Sequence, residues 1–451
     1  MRFFFPAGLA LALVLPLSAM ADAASDITAL RQEMEAIRAA YEQRLQALEQ
    51  RLKAAETQAP AAAPSIASTA AAPAGQGGGG ANAFNPAVSL ILSGNYGRTS
   101  RDPSTYSITG FALPAGSDAG PVARGFGLAE SELALAASID PWLRGQANIS
   151  LHPDNTVSVE EAFVQTTSLG NGLSLKAGRF YSGIGYLNEQ HAHTWDFGDN
   201  PLAYQAFLGT QFGDDGLQLR WLAPTDLFLE AGAEVGRGRG FPGSDNSRNG
   251  AGASSLFVHA GGDIGDSHSW RAGLSMLNAR ATGQTLVTSG ALGNSESGAF
   301  NGRTRVYVAD AVLKWAPHGN GTRTNFKLQG EYLRSTREGS VIATGADAAG
   351  ASSYRTAQSG WYLQGVYQFM PRWRVGLRTE RLDSGNMTDA DMMTQAVYKP
   401  RKESLMLDFN PSEFSRVRLQ VARDRSRIGA ADNQLLMQYQ MSLGAHGAHG
   451  F

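Results

Sequence analysis

Residues 324–332 read "TNFKLQGEY". Phe326, Leu328, Gly330 and Tyr332 fall on one side of an extended chain, and Asn325, Lys327, Gln329 and Glu331 on the other. A period of two predicts a β-strand, because successive side chains of a pleated backbone point to opposite faces. The pattern recurs along the chain. "WRVGLRTE" (373–380) sets Trp373, Val375 and Leu377 against Arg374, Gly376 and Arg378. "AVSLILSGNY" (87–96) places Val88, Leu90, Leu92 and Tyr96 on one face, and "ESELALAASI" (130–139) opposes Leu133, Leu135 and Ile139 to Glu132 and Ser138.

The connections sort into two kinds. Short turns are expected at "IDPW", "SLGNG", "LAPTD", "IGDSHS", "APHGNG", "MPR" and "NPSE". Longer polar loops are expected near 98–125, 153–157, 182–214, 236–254, 280–303, 334–357, 383–402 and 425–432. Seven turns and eight loops separate sixteen strands, with both chain ends on the short-turn side. An even strand number with turns on one side and loops on the other predicts an all-β, 16-stranded antiparallel transmembrane β-barrel over residues 84–451.

A soluble sandwich or propeller shares this period but turns its apolar face inward. Three features favour the membrane. Trp142, Trp221, Trp270, Trp315, Phe369, Trp373 and Phe409 sit beside the short turns, as an interfacial girdle would. The chain has no cysteine, and its first residues form a secretory signal. The last segment, "QLLMQYQMSLGAHGAHGF" (434–451), alternates and ends on Phe451. That ending resembles the signal by which outer-membrane barrels engage their assembly machinery.

The N-terminus adds three segments. Residues 1–21 read as a signal peptide, with Arg2, an apolar run and a small-residue exit at Ala19 and Ala21. Residues 25–56 place Ile27, Leu30, Met34, Ile37, Tyr41, Leu45, Leu48, Leu52 and Ala55 on a heptad seam, predicting a coiled-coil helix in the periplasm. Residues 57–83, rich in Ala, Pro and Gly, read as a flexible linker. The formal net charge of −2 gives no electrostatic basis for nucleic-acid binding.

The stretch "VEEAFVQTTSLGNGLSLKAGRFYSGIGYLNEQ" (159–190) resembles a hairpin of phosphate-selective porins of the O and P type. The matching features are an acidic-aromatic strand, a short turn, Gly178-Arg179-Phe180, then Gly183 and Gly185 leading into the third loop. The resemblance covers 84–451 as architecture and one hairpin as motif. It implies an outer-membrane porin, embedded in lipid and assembled as a homotrimer, that passes small hydrophilic solutes. One departure stands out: the inward faces mix acids with bases, whereas a phosphate-selective pore implies a dense basic ladder.

By strand count the third loop carries "YLNEQHAHTWDFGDN" (186–200). In general porins this loop folds inward, which would place Glu189, His191, His193, Asp196 and Asp199 at a constriction. The expected basic wall opposite is Arg144, Lys176, Arg220, Arg374, Arg378, Arg416 and Arg418. Neutralising the loop acids is expected to shift selectivity towards anions with little effect on stability, because a lumen loop does not face lipid. His191 and His193, in a His-x-His arrangement beside acids, are the candidates if a metal binds, since such donors suit Zn²⁺; the reading adopted here has no metal and no cofactor.

Enzyme activity is not expected, because no serine motif accompanies His152 or His259 and no catalytic carboxylate pair is present. A plugged receptor is excluded by the shortness of 57–83. The alternatives carried forward are a zinc-related uptake protein using the His-x-His loop and a structural barrel with a closed lumen.

Overall fold

Every strand of the barrel finds two hydrogen-bonding neighbours, and the ring closes on itself. The structure, a computed structural model, describes residues 86–444 except 115–118, 245–248, 290–294, 344–349 and 386–395. The signal peptide, coiled-coil helix and linker expected over 1–83 lie outside the described residues, as do His446, His449 and Phe451.

In chain order the strands are β1 (Ala87–Thr99), β2 (Leu113–Pro114), β3 (Gly125–Leu128), β4 (Ser131–Ser138), β5 (Leu143–Leu151) and β6 (Val157–Thr166). They continue as β7 (Leu173–Tyr181), β8 (Gly213–Leu222), β9 (Phe228–Gly236), β10 (Ala253–Ile264), β11 (His268–Ser289) and β12 (Ser295–Trp315). The last are β13 (Asn325–Ala343), β14 (Ala351–Met370), β15 (Trp373–Asp383), β16 (Arg401–Ser412), β17 (Ser415–Arg425) and β18 (Asp432–Gly444). Setting aside β2 and β3, which are short side pairings, sixteen strands form the wall, each antiparallel to its neighbours. β1 closes the ring against β18, from Ser89 opposite Gly444 to Thr99 opposite Gln434, and pairs with β4 on its other side.

Burial settles which face is which. Leu219, Leu256, Leu274, Leu363, Leu377 and Leu405 are exposed, while Glu132, Glu331, Glu380, Lys402, Asp408 and Arg418 on the same or neighbouring strands are buried. This is the reverse of a soluble sandwich. An apolar outer wall around a polar interior has a low free energy only where the surrounding solvent is lipid. The outward row of β12 runs Tyr307, Ala309, Ala311, Leu313, Trp315, and that of β14 runs Trp361, Leu363, Gly365, Tyr367, Phe369. Each row starts and ends on an aromatic residue eight positions apart. At about 3.3 Å per residue that is about 26 Å along the strand, which the tilt of such strands reduces to about 20 Å of height, most of the apolar band of such barrels.

All seven short turns fall where the alternation breaks. Two of the expected loops do not. Residues 280–303 and 334–357 are largely strand: β11 has 22 residues, β12 21, β13 19 and β14 20. Twenty residues extend about 66 Å, far more than the apolar band requires. The far halves of these ribbons stand beyond the lipid, where neither face needs to be apolar, so the alternation that marks a strand fades there.

We predict that Leu377→Arg, on β15 opposite Gly365 at the middle of the β14 outer row, destabilises the barrel by about 2–4 kcal/mol, as expected for a base at the bilayer midplane. Denaturant unfolding in lipid vesicles measures this. An unchanged midpoint would mean that this face is not in lipid.

Candidate functional site in the lumen

The loop between β7 and β8, residues 182–212 (L3), touches almost the whole ring. It contacts Glu132 on β4, Asn148 on β5, Glu160 and Glu161 on β6, Glu331 on β13 and Arg378 on β15. It also contacts Lys402 on β16, Arg418 on β17 and Gln440 on β18. A single loop reaches inward side chains on all sides of a ring only from inside it.

Local chemistry shapes the loop. Asn188 closes its neck: its amide donates to the carbonyls of Ser182 (2.8 Å) and Phe212 (2.9 Å) and its oxygen accepts from Phe212 N (2.8 Å). Gly185 has φ +68, and a Cβ there would clash with the Glu331 carboxylate and the Tyr204 hydroxyl. Further on, Pro201 leads into a short helix, α1 (Leu202–Leu208). Glu380 Oε2 accepts from the free backbone N–H of Leu202 at 2.6 Å, and Gly209 ends the helix in the left-handed conformation.

All seven side chains of α1 are buried. They pack with Ile108, Phe111 and Leu113 of the first loop and with Val306, Val308, Leu333, Tyr362 and Leu382 of the wall. The first loop, near 98–125, is expected from sequence to be a longer polar connection. It too enters the lumen, because Ile108 and Phe111 complete this apolar core and β2 pairs with Leu286 and Val287 of β11.

The acids at the tip of L3 meet bases on the far wall. Asp196 pairs with Lys327 (3.0 Å) and Arg374 (3.3 Å). Asp199 pairs with Arg378 (2.7 Å) and Lys402, and accepts from Gln420 (2.7 Å). Arg416 and Arg418 donate to the backbone carbonyls of His193 and Trp195. Burial disfavours the charge on both acids. For Asp196 the field of Lys327 and then Arg374 outweighs it; for Asp199 that of Arg378 and then Lys402 does. Both carboxyls are held below the usual carboxylate range.

Glu189 lies elsewhere, paired with Arg220, which stacks over Phe257 at 5.2 Å. His191 and His193 do not face the arginines of β15 and β17 through their side chains. They turn to the opposite wall, where His191 meets Glu132 (3.2 Å), Glu160 (3.0 Å) and Glu161 (3.0 Å), and His193 meets Glu132 (3.1 Å). Burial opposes the charge on His191, but its contacts with Glu132, Glu160 and Glu161 prevail and raise its pKa well above the ordinary histidine value. Lys176 lies over Phe163 (4.4 Å) and Phe180 (5.5 Å). Arg144 is exposed at the turn-side end of β5.

Several participants were not among the expected site residues, Glu132, Lys327, Glu160, Glu161 and Lys402 among them. Glu160 and Glu161 point the same way because the β5–β6 register slips between Asn148 and Ile149, a β-bulge. The doubled acid in "VEEAF" was the available signal. Lys402 shares the inward parity of Ser404, Met406 and Asp408, but lay in a stretch read as loop.

Charge is unevenly distributed along the lumen. Within three residues of the turn-side strand ends, inward bases are Arg144, Lys176, Arg220, Arg271 and Lys314, then Lys327, Arg374, Arg416 and Arg418. The inward acids in the same zone are Glu230 and Asp263. Five of the nine are paired with acids, Arg220 with Glu189 and Glu230, Arg271 with Asp310, Lys327 with Asp196, Arg374 with Asp196 and Asp408, and Arg418 with Asp408, so the basic excess at the turn-side mouth rests on Arg144, Lys176, Lys314 and Arg416. Arg179 of the porin-like motif is not part of it; it pairs with Asp215 at 2.6 Å on the outer face.

No protein-family model matches the chain. It is 32% identical over 398 residues, 82% of this chain and 80% of the other, to an uncharacterized protein of Aquifex aeolicus (strain VF5). Among solved structures it overlaps a loop-deleted OmpT, an outer membrane protein of Vibrio cholerae, with TM-score 0.49, 11% identity and coverage of 80% of this chain and 100% of that one. An anion-selective porin from Comamonas acidovorans gives TM-score 0.45, 11% identity and coverage of 80% and 99%. Overlaps this loose carry no argument about solute or mechanism, and the barrel assignment rests on the strand register itself.

Burial of the Asp196 and Asp199 ion pairs revises the expectation of a stability-neutral loop. We predict that Asp199→Asn costs about 1–3 kcal/mol at pH 7, because Lys402 and Arg378 lose a buried partner. A carboxyl held below its ordinary value stabilises the fold above the unfolded-chain value near 3.9, and the contribution fades as pH falls through the lowered value. The gap between wild type and variant in denaturant unfolding is therefore full from about pH 5 to 8 and closes only below about pH 4. A gap already absent at pH 5 would contradict the ion-pair account.

Proposed function

We propose that the chain, which belongs to the same family as the Aquifex aeolicus protein, is an outer-membrane porin for passive diffusion of small hydrophilic solutes, with anions favoured. The observation that carries this reading is the basic excess at the turn-side mouth, where the inward Arg144, Lys176, Lys314 and Arg416 make no ion pair with an acid among the described residues. In outer-membrane barrels the short turns are periplasmic. A solute would meet a narrowed lumen at L3 and then a positive field, which in a low-dielectric channel attracts anions and repels cations. In this reading Glu189, His191, His193, Asp196 and Asp199 line or brace the constriction. Phosphate is not singled out, because Arg374, Arg378 and Arg418 are each already paired with an acid. The proposal includes trimers joined through the barrel wall and extended by a three-stranded coil of residues 25–56. A stable monomer in native mass measurement, with and without that segment, would remove this part.

A second reading, a structural barrel with a closed lumen, draws support from the apolar core that α1 and the first loop build inside the ring. Single-channel recording in planar bilayers separates the two. The porin reading predicts stable ohmic steps with anions more permeant than cations. Replacing Arg271 and Lys314 with Gln should move the reversal potential towards cation preference, and Asp196→Asn with Asp199→Asn should move it towards anions. Absence of conductance from folded protein would favour the closed barrel; conductance indifferent to both pairs would place the selectivity elsewhere.

A further inference from the structure

On the wall opposite the arginines, several donor atoms converge on one point. Glu132 Oε2 is 3.2 Å from His191 Nδ1 and 3.1 Å from His193 Nδ1, and Glu160 Oε2 is 3.0 Å from His191 Nδ1. Donor atoms of Glu132, Glu160 and His191 all lie within 4.8 Å of one another. For comparison, bonds of about 2.0–2.2 Å to a tetrahedral ion place neighbouring donors about 3.2–3.6 Å apart.

The other atom of each group is already held. Glu132 Oε1 accepts from Asn148 at 2.6 Å, and Glu160 Oε1 accepts from Ser150 at 2.6 Å. His191 Nε2 faces Glu161 Oε2 at 3.0 Å. A carboxylate on one ring nitrogen fixes the proton there and leaves the second nitrogen as a lone-pair donor, the arrangement found behind metal-binding histidines. The wall therefore orients Oε2, Oε2 and Nδ1 towards a common centre.

Protons alone leave this cluster short of positive charge. His191 Nδ1 has one hydrogen to give, and both Glu132 Oε2 and Glu160 Oε2 reach for it. Glu132 Oε2, in a residue only 2% exposed, is then left to His193 Nδ1 at 3.1 Å. Three carboxylates thus share two imidazoles in a buried cluster, and a divalent cation at the centre compensates Glu132 Oε2 and Glu160 Oε2 together. Among the described residues, no arginine or lysine ion pair reaches Glu132, Glu160 or Glu161.

We infer that Glu132, Glu160 and His191, with His193 alongside, form a binding site for a divalent first-row metal ion that clips L3 to β4 and β6. The mixed imidazole and carboxylate donor set suits Zn²⁺ better than Ca²⁺ or Mg²⁺, which take oxygen ligands. The ion would hold one flank of L3 while the ion pairs of Asp196 and Asp199 hold the other. Nothing in this inference depends on the channel conducting.

The test is titration of the purified full chain in detergent with Zn²⁺ alone, followed by calorimetry, with Co²⁺ absorption in the visible range as a second readout. We expect one Zn²⁺ per chain and the Co²⁺ bands of a four-coordinate site. His191→Ala and the isosteric Glu160→Gln should abolish both. Glu161→Gln, one step removed, should weaken binding by about 10- to 100-fold. Asp199→Asn should leave binding unchanged. If His191→Ala fails to fold, as judged by its β-sheet circular dichroism, Glu160→Gln carries the test. Absence of saturable binding by the wild type, or equal binding by Glu160→Gln, would overturn the inference.

Discussion

The structure depends on one constraint: a backbone surrounded by hydrocarbon has no water to bond with, so each N–H and C=O in the wall must find a partner in the next strand. Closure of β1 against β18 removes the last free edge. With closure achieved, the outer face must be apolar. The polar half of every alternating strand is thereby directed into the lumen. Any segment folding into that lumen is met by charges whose burial has to be compensated.

L3 answers that demand in two ways. On one side it carries carboxylates to the bases of β13, β15 and β16, and it offers backbone carbonyls to Arg416 and Arg418 of β17. On the other side it carries imidazoles to the acids of β4 and β6. The loop's charges are thus complementary to the wall at both ends of its span. Its middle, α1, solves a different problem by joining the first loop in an apolar core. These are separate attachments, so removing one should loosen L3 on that flank without releasing it from the lumen.

Much of the barrel was legible in the sequence because a membrane wall is a strict filter on side-chain parity. Strand number, the seven turns and the inward positions of Arg374, Arg378 and Glu331 follow from period-two alternation. The alternation says nothing where both faces are wet, so the upper halves of β11 to β14 read as loop. Nor does it reveal α1, a single buried helix of seven residues whose side chains are apolar or shielded all round. The β5–β6 bulge was equally hidden, since it turns two successive acids to the same side and so breaks the rule used to assign faces. For the lumen site, sequence supplied the residues of L3 and the arginines that meet Glu189, Asp196 and Asp199, but not the glutamates that meet the histidines. His191 and His193 were set against arginines, and the fold gave them glutamates.

The central claim is that L3 lies within the lumen and borders what passes through it. Because the chain has no cysteine, a single thiol at Glu189→Cys reports on this directly. The measurement is single-channel current before and after a small thiol-reactive reagent is added. The account predicts a stepwise, irreversible fall in current as the reagent occupies the space beside Arg220. A channel whose current is unchanged after complete labelling at that position would contradict it.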